Sequence, residues 1–187
     1  MRPSSRVDSA VLFLHLAALA LAIGPALFFG AVVAPAVFRV LPTRDLAAAV
    51  VSPVLSGTCL LAEAAFGVLF ATSWWLVREG VPRWTRSLLT RLPVAGFFAA
   101  LVIRELLIPP IDRIRQQAPG LIDNLPAADP SRLLLDRYHR LATGFFGALL
   151  MTAFAMLVLT ARLLSVTREA PVPAASRPPV PKLLDLS

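Results

Sequence analysis

The stretch LATGFFGALLMTAFAMLVLTA, Leu141 to Ala161, has no charged side chain in its 21 positions. A hydrocarbon core roughly 30 Å thick takes about 20 helical residues to cross at 1.5 Å each, so this run spans a bilayer unaided. Two further runs, Leu16 to Phe38 and Ala47 to Val77, pass the same length test. The remaining one, Leu92 to Ile103, is only 12 residues long, about 18 Å as a helix, and cannot cross alone. It spans only by taking in Leu88 to Arg91, or else Arg104, Glu105 and Leu106 to Ile108, so charge enters the bilayer with it. The fold class that follows is all-α, a polytopic membrane four-helix bundle.

Composition supports this class. The chain is 57% hydrophobic and 16% charged, against roughly 25% charged residues in soluble domains. Its 187 residues make one domain, organised as a cytoplasmic N-terminus over 1–8, a four-helix transmembrane domain over 9–167 and a disordered Pro-rich tail over 168–187. An extramembrane loop is expected at about 112–129. The net charge of +7 does not mark a nucleic-acid partner, because the Lys and Arg residues lie between apolar runs, where they anchor helices at headgroups. The partner implied is the lipid bilayer. Cys59 is the single cysteine, so no intrachain disulfide forms, and it reads as a packing residue. Arg2 and Arg6 followed by Ala10 to Ile23 imitate a secretory signal. Apolar sequence continues to Phe38, however, well past the roughly 7 to 15 residues of a signal's core, and predicts a retained helix.

Helix one is expected from Ser9 to Val40, bent at Pro25 and Pro35, with Gly30 and Ala34 forming a small-residue pair. Helix two runs from Leu46 to Val77, where Pro53 is expected to separate a kinked or interfacial segment from the spanning part. Trp74, Trp75 and Trp84 form an aromatic belt at the lipid–water boundary. Pro109 and Pro110 are expected to end helix three. Asp129 and Pro130 form an N-cap and first turn for helix four. Gly144, Ala148 and Thr152 supply a second small-residue stripe suited to helix contact. Ten of the 18 Lys and Arg residues fall on the side shared by both termini, which places the termini in the cytoplasm of a cell inner membrane by the positive-inside rule.

Glu63 lies near the middle of the second run, where insertion scales place a central charge at about 2.5 to 3.5 kcal/mol. Its carboxyl is therefore satisfied as a neutral group by a neighbouring helix, used as a proton or cation relay, or paired with Arg104. Glu105 is the nearer acidic neighbour of Arg104 in sequence, but adjacent helical positions point about 100° apart. Asp136, His139 and Arg140 are interfacial candidates; Arg132, Asp136 and Arg140 fall at i,i+4 spacing, as on a headgroup-level face. His15 and His139 invite haem or copper, although the topology places them about a membrane thickness apart. No resident cofactor is predicted otherwise. No Ser-His-Asp set, phosphate loop or paired carboxylates can be assembled, so nothing marks the chain as an enzyme. The ligand, a small molecule or an ion, is not specified, and a homo-oligomer is compatible with the sequence.

Gly24, Phe28, Phe29 and the segment Val32-Val33-Ala34-Pro35-Ala36-Val37-Phe38-Arg39 resemble the first helix of the transmembrane-protein-205-like family, domain of unknown function 4149. Pro110-Ile111 is similar to its Pro-x-Ile element, and Tyr138-His139-Arg140-Leu141 to the opening of its last helix. The resemblance covers about Leu14 to Val158. Val51-Ser52-Pro53-Val54 stands where the family tends to have a Gly-rich start and an aromatic residue in helix two. Thr143 and Gly144 stand near where an Asn often follows the histidine. The resemblance implies a four-helix membrane protein without an established activity; the function expected is that of a non-enzymatic bundle acting in transport, export or envelope homeostasis. Leu14-His15-Leu16 is distantly similar to copper-resistance-D-like and haem-binding four-helix proteins, which would imply redox function.

Overall fold

The computed structural model describes residues 5–77, 83–118, 122–126 and 128–168. They form α1 (Ser5–Phe28), α2 (Ala34–Val40), α3 (Arg44–Leu76), α4 (Arg83–Leu101), α5 (Ile108–Gln117) and α6 (Pro130–Arg168). A π-helical turn at Phe29–Val33 joins α1 to α2, and a second at Val102–Leu107 joins α4 to α5. The result is four rods, each long and apolar enough to cross a membrane. Span one (α1 and α2) packs on span two (α3), span two on span three (α4 and α5), and span three on span four (α6), which closes back on span one. The chain is an all-helical, multi-pass four-helix bundle.

Both π turns stand just before prolines, Pro35 in one case and Pro109-Pro110 in the other. A proline ring clashes with the carbonyl four residues earlier and offers no N–H, so an ordinary α-turn is disfavoured at that point. Widening the turn by one residue lets the rod continue. This corrects one expectation. Pro109 and Pro110 do not end span three; they open α5, where the missing N–H costs little. Asp112 to Gln117 are consequently helical, and the extramembrane connection begins at Ala118. The helix α3 is continuous from Arg44 through Pro53, and Thr43 Oγ1 caps it by accepting from the Leu46 N–H at 3.2 Å. Asp129 caps α6 as expected, Oδ1 accepting from the Ser131 N–H at 2.8 Å, but α6 runs on to Arg168. The Pro-rich tail beyond Arg168 lies outside the described residues.

The interior mixes a few large side chains, Leu19, Phe66, Leu69, Ile103, Leu149 and Met156, with alanines that let the rods approach closely. Phe66 is fully buried and lies over Gly96, where an added Cβ would penetrate its ring. Gly30 of the first small pair similarly faces Phe146 on α6. The stripe Gly144–Ala148 points outward instead, away from the other rods. Phe13 at 73% exposure and Met151 at 71% are lipid-facing side chains of the bundle's outer surface. Trp74 and Trp84 are also exposed, at one end, in keeping with an interfacial belt.

Candidate functional site

Three polar stations lie at three depths. The middle one is built by Glu63 on α3 and by Arg104 and Glu105 in the second π turn. Arg104 Nε donates to Glu63 Oε1 and Nη2 donates to Oε2, each at 2.8 Å, a bidentate pair between spans two and three. The remaining nitrogen, Nη1, lies 2.8 Å from Glu105 Oε1. Glu63 is buried with its side chain 8% exposed, whereas that of Glu105 is 52% exposed. The helical ruler fixes their depth. Eleven residues separate Glu63 from Trp74 in one direction and from Ser52 in the other, about 17 Å each way, so the pair sits near the middle of span two.

The second station is the end of the bundle where spans one and two connect. Ser52 Oγ donates to Asp112 Oδ1 at 3.0 Å, Asp45 Oδ2 accepts from the Ile122 N–H at 2.7 Å, and Arg132 Nη1 donates to the Leu125 carbonyl at 2.9 Å. These contacts tie the connection between α5 and α6 down onto the helices. Beneath it lies a cavity of about 300 Å³ walled by Arg44, Asp45, Arg115, Arg132, Asp136 and His139. A second cavity of about 280 Å³ continues between the rods, walled chiefly by Phe29, Leu55, Ile108, Ala142 and Phe146. Phe38, Ile111, Arg115 and His139 belong to both. Arg115 also borders a third cavity with Asp45, Ser52 and Asp112. Its Nη1 reaches Asp112 only at 4.0 Å, and its buried Nε has no hydrogen-bond partner.

The third station lies near the other end. His15 is buried; its Nδ1 is 2.8 Å from Thr72 Oγ1 and its Nε2 is 3.0 Å from Thr160 Oγ1, so one imidazole joins spans one, two and four. Each threonine hydroxyl also lies 2.8 Å from a carbonyl of its own helix, Thr72 from Val68 and Thr160 from Met156, so one hydroxyl proton is shared between a carbonyl and the unprotonated ring nitrogen. Both ring nitrogens are thus engaged, and metal ligation by His15 would require breaking one of these bonds.

The structure therefore brings together Glu63, Arg104 and Glu105, and separately Asp136 and His139. Arg140 is exposed and does not line the cavity. His15 and His139 remain far apart: Thr160, the partner of His15, is 21 residues from His139 along α6, about 31 Å. Arg115, Asp45, Ser52, Asp112, Thr72 and Thr160 escaped notice in the sequence. A signal for two of them was present, since Asp45 and Ser52 lie 7 residues apart and Ser52 lies 11 from the candidate Glu63, close to whole helical turns, so the three share one face of α3. No family model, curated protein or solved structure matches the chain.

Proposed function

We propose that this multi-pass membrane protein binds a small amphiphilic anion at the end of the bundle, as a step in transport, export or envelope homeostasis. One observation carries the reading: a charged cavity and an apolar cavity meet at Arg115, whose buried Nε is unspent. A buried donor without a partner is costly, and a ligand oxygen would satisfy it. Arg44, Arg115 and Arg132 supply cations around the upper chamber. Phe29, Leu55 and Phe146 below offer an alkyl chain a surface between the rods. Charged groups that fix orientation above an apolar lining are the usual composition of small-molecule sites. The termini face the cytoplasm in this reading, which places the cavity at the opposite surface of a cell inner membrane. Kinship with the transmembrane-protein-205-like family is part of the same proposal, supported by the Val32 to Arg39 segment, which enters the first π turn and α2 beside the apolar chamber.

Titration of the full chain in nanodiscs with dodecyl phosphate tests it. Saturable binding, weakened about tenfold by Arg115→Gln and absent for dodecyltrimethylammonium, is the expected result. Non-saturable partitioning, or equal binding by wild type and Arg115→Gln, would overturn it.

A further inference from the structure

The midplane station has one cation and two carboxylates. Arg104 occupies both oxygens of Glu63 through Nε and Nη2. Glu105 receives only the contact from Nη1 to Oε1, and Arg104 is its sole partner among the described residues. With both carboxyls ionised the group would carry a net negative charge near the midplane, beside a Glu105 side chain that is 52% exposed. Among the described residues no other element supplies a compensating cation. Span four, which packs against the π turn, has no charged residue from Leu141 to Ala161, and the nearest other charges along span three are Arg91 and Asp112. Cys59, close to Arg104, is the remaining titratable neighbour on α3.

We propose that Glu105 is a proton-binding site in the plane of the bilayer, independent of the amphiphile cavity. With a proton on Glu105 the station is neutral, Arg104 is committed to Glu63, and a neutral carboxyl meets the lipid. With the proton lost, Arg104 is shared between two carboxylates. A second copy of the chain docked by this face would oppose like charges and would not remove the imbalance, so the proton is the occupant that closes the charge balance. The π turn places Arg104 and Glu105 at this depth on different faces of one rod, and such turns recur at functional positions.

The test uses the full chain in nanodiscs with the lipid-soluble reagent dicyclohexylcarbodiimide, which reacts with protonated carboxyls. The carboxyl proton passes to a carbodiimide nitrogen, the carboxylate oxygen bonds to the central carbon, and an O-to-N acyl shift leaves a stable N-acylurea with nothing expelled. Peptide mapping is expected to find the adduct on Glu105 and not on Glu63. The same peptide from Glu105→Gln should carry none. A Glu105 that stays unlabelled, or an adduct on Glu63 instead, would overturn the proposal. The wild-type protein alone decides it, so the result does not depend on how the variant folds.

Discussion

Arg104 holds Glu63 through two parallel hydrogen bonds, Nε to Oε1 and Nη2 to Oε2, and this fork is the polar contact between spans two and three at the bilayer midplane. Removing Arg104 leaves the Glu63 carboxyl buried without its partner, and removing Glu63 leaves the half-buried Arg104 with Glu105 alone, whereas replacing both with apolar residues removes the desolvation problem. Glu63→Gln and Arg104→Gln should each lower the thermal midpoint in detergent by about 5 °C or more. The double variant Glu63→Leu with Arg104→Leu should recover most of that loss, as read by thermal unfolding monitored by size exclusion. Additive loss in the double variant would show that the two residues do not act as a pair.

The His15 clasp should be non-additive in the opposite sense. Three protons, one on a neutral imidazole and one on each threonine hydroxyl, serve the two contacts to His15 and the two to the Val68 and Met156 carbonyls. Thr72→Val or Thr160→Val alone leaves His15 one partner and should cost about 0.6 kcal/mol, typical of interhelical hydrogen bonds in membranes. Together they strand a buried imidazole and should cost about 2 kcal/mol. Steric trapping or denaturant unfolding of the two single variants and the double variant measures the excess directly. If the double loss equals the sum of the singles, the clasp carries no shared proton count.

Gly96 is set by the Phe66 ring that covers it, since no Cβ fits between them. Gly96→Ala should therefore force spans two and three apart and cost about 1 to 3 kcal/mol, despite alanine's better helix propensity. Phe66→Leu in that background should restore part of the loss by making room. A Gly96→Ala protein as stable as wild type in thermal unfolding would mean that the rods part without penalty.

The spans and the cap at Asp129 could be read because hydrophobic length and local turn chemistry act over a few residues. The identity of Glu63's partner was open between several readings, because which faces of two rods meet depends on rotation about their axes. Proline was misread for a related reason. Pro109-Pro110 ordinarily ends a helix in water, but in lipid the rod continues by widening its turn, since a break would expose backbone groups to hydrocarbon. That widening carried Asp112 and Arg115 into the bundle's end, and so the cavity that Arg115 joins could not be seen from a sequence in which those residues looked like loop. His15 was legible as a polar residue in a span, but its partners lie 57 and 145 residues away.

The π turn also explains how span three touches span two twice. Arg104 meets Glu63 and Asp112 meets Ser52, and the two positions on α3 are 11 residues apart, almost three whole turns. Arg104 and Asp112 are 8 residues apart, which in an unbroken α-helix would set them about 80° from one another. One extra residue in the Val102–Leu107 turn cancels most of that angle and brings both onto the face toward α3. Replacing Pro109 and Pro110 with alanine supplies the missing N–H groups and should let the turn relax toward α geometry, rotating Asp112 away from Ser52. In a Cys59→Ala background, Ser52→Cys with Asp112→Cys should form an oxidative crosslink within the chain, detected by peptide mass, and the crosslink should be lost when both prolines become alanine. A crosslink that persists without the prolines would show that packing against α3 alone, and not proline sterics, holds the π turn in place.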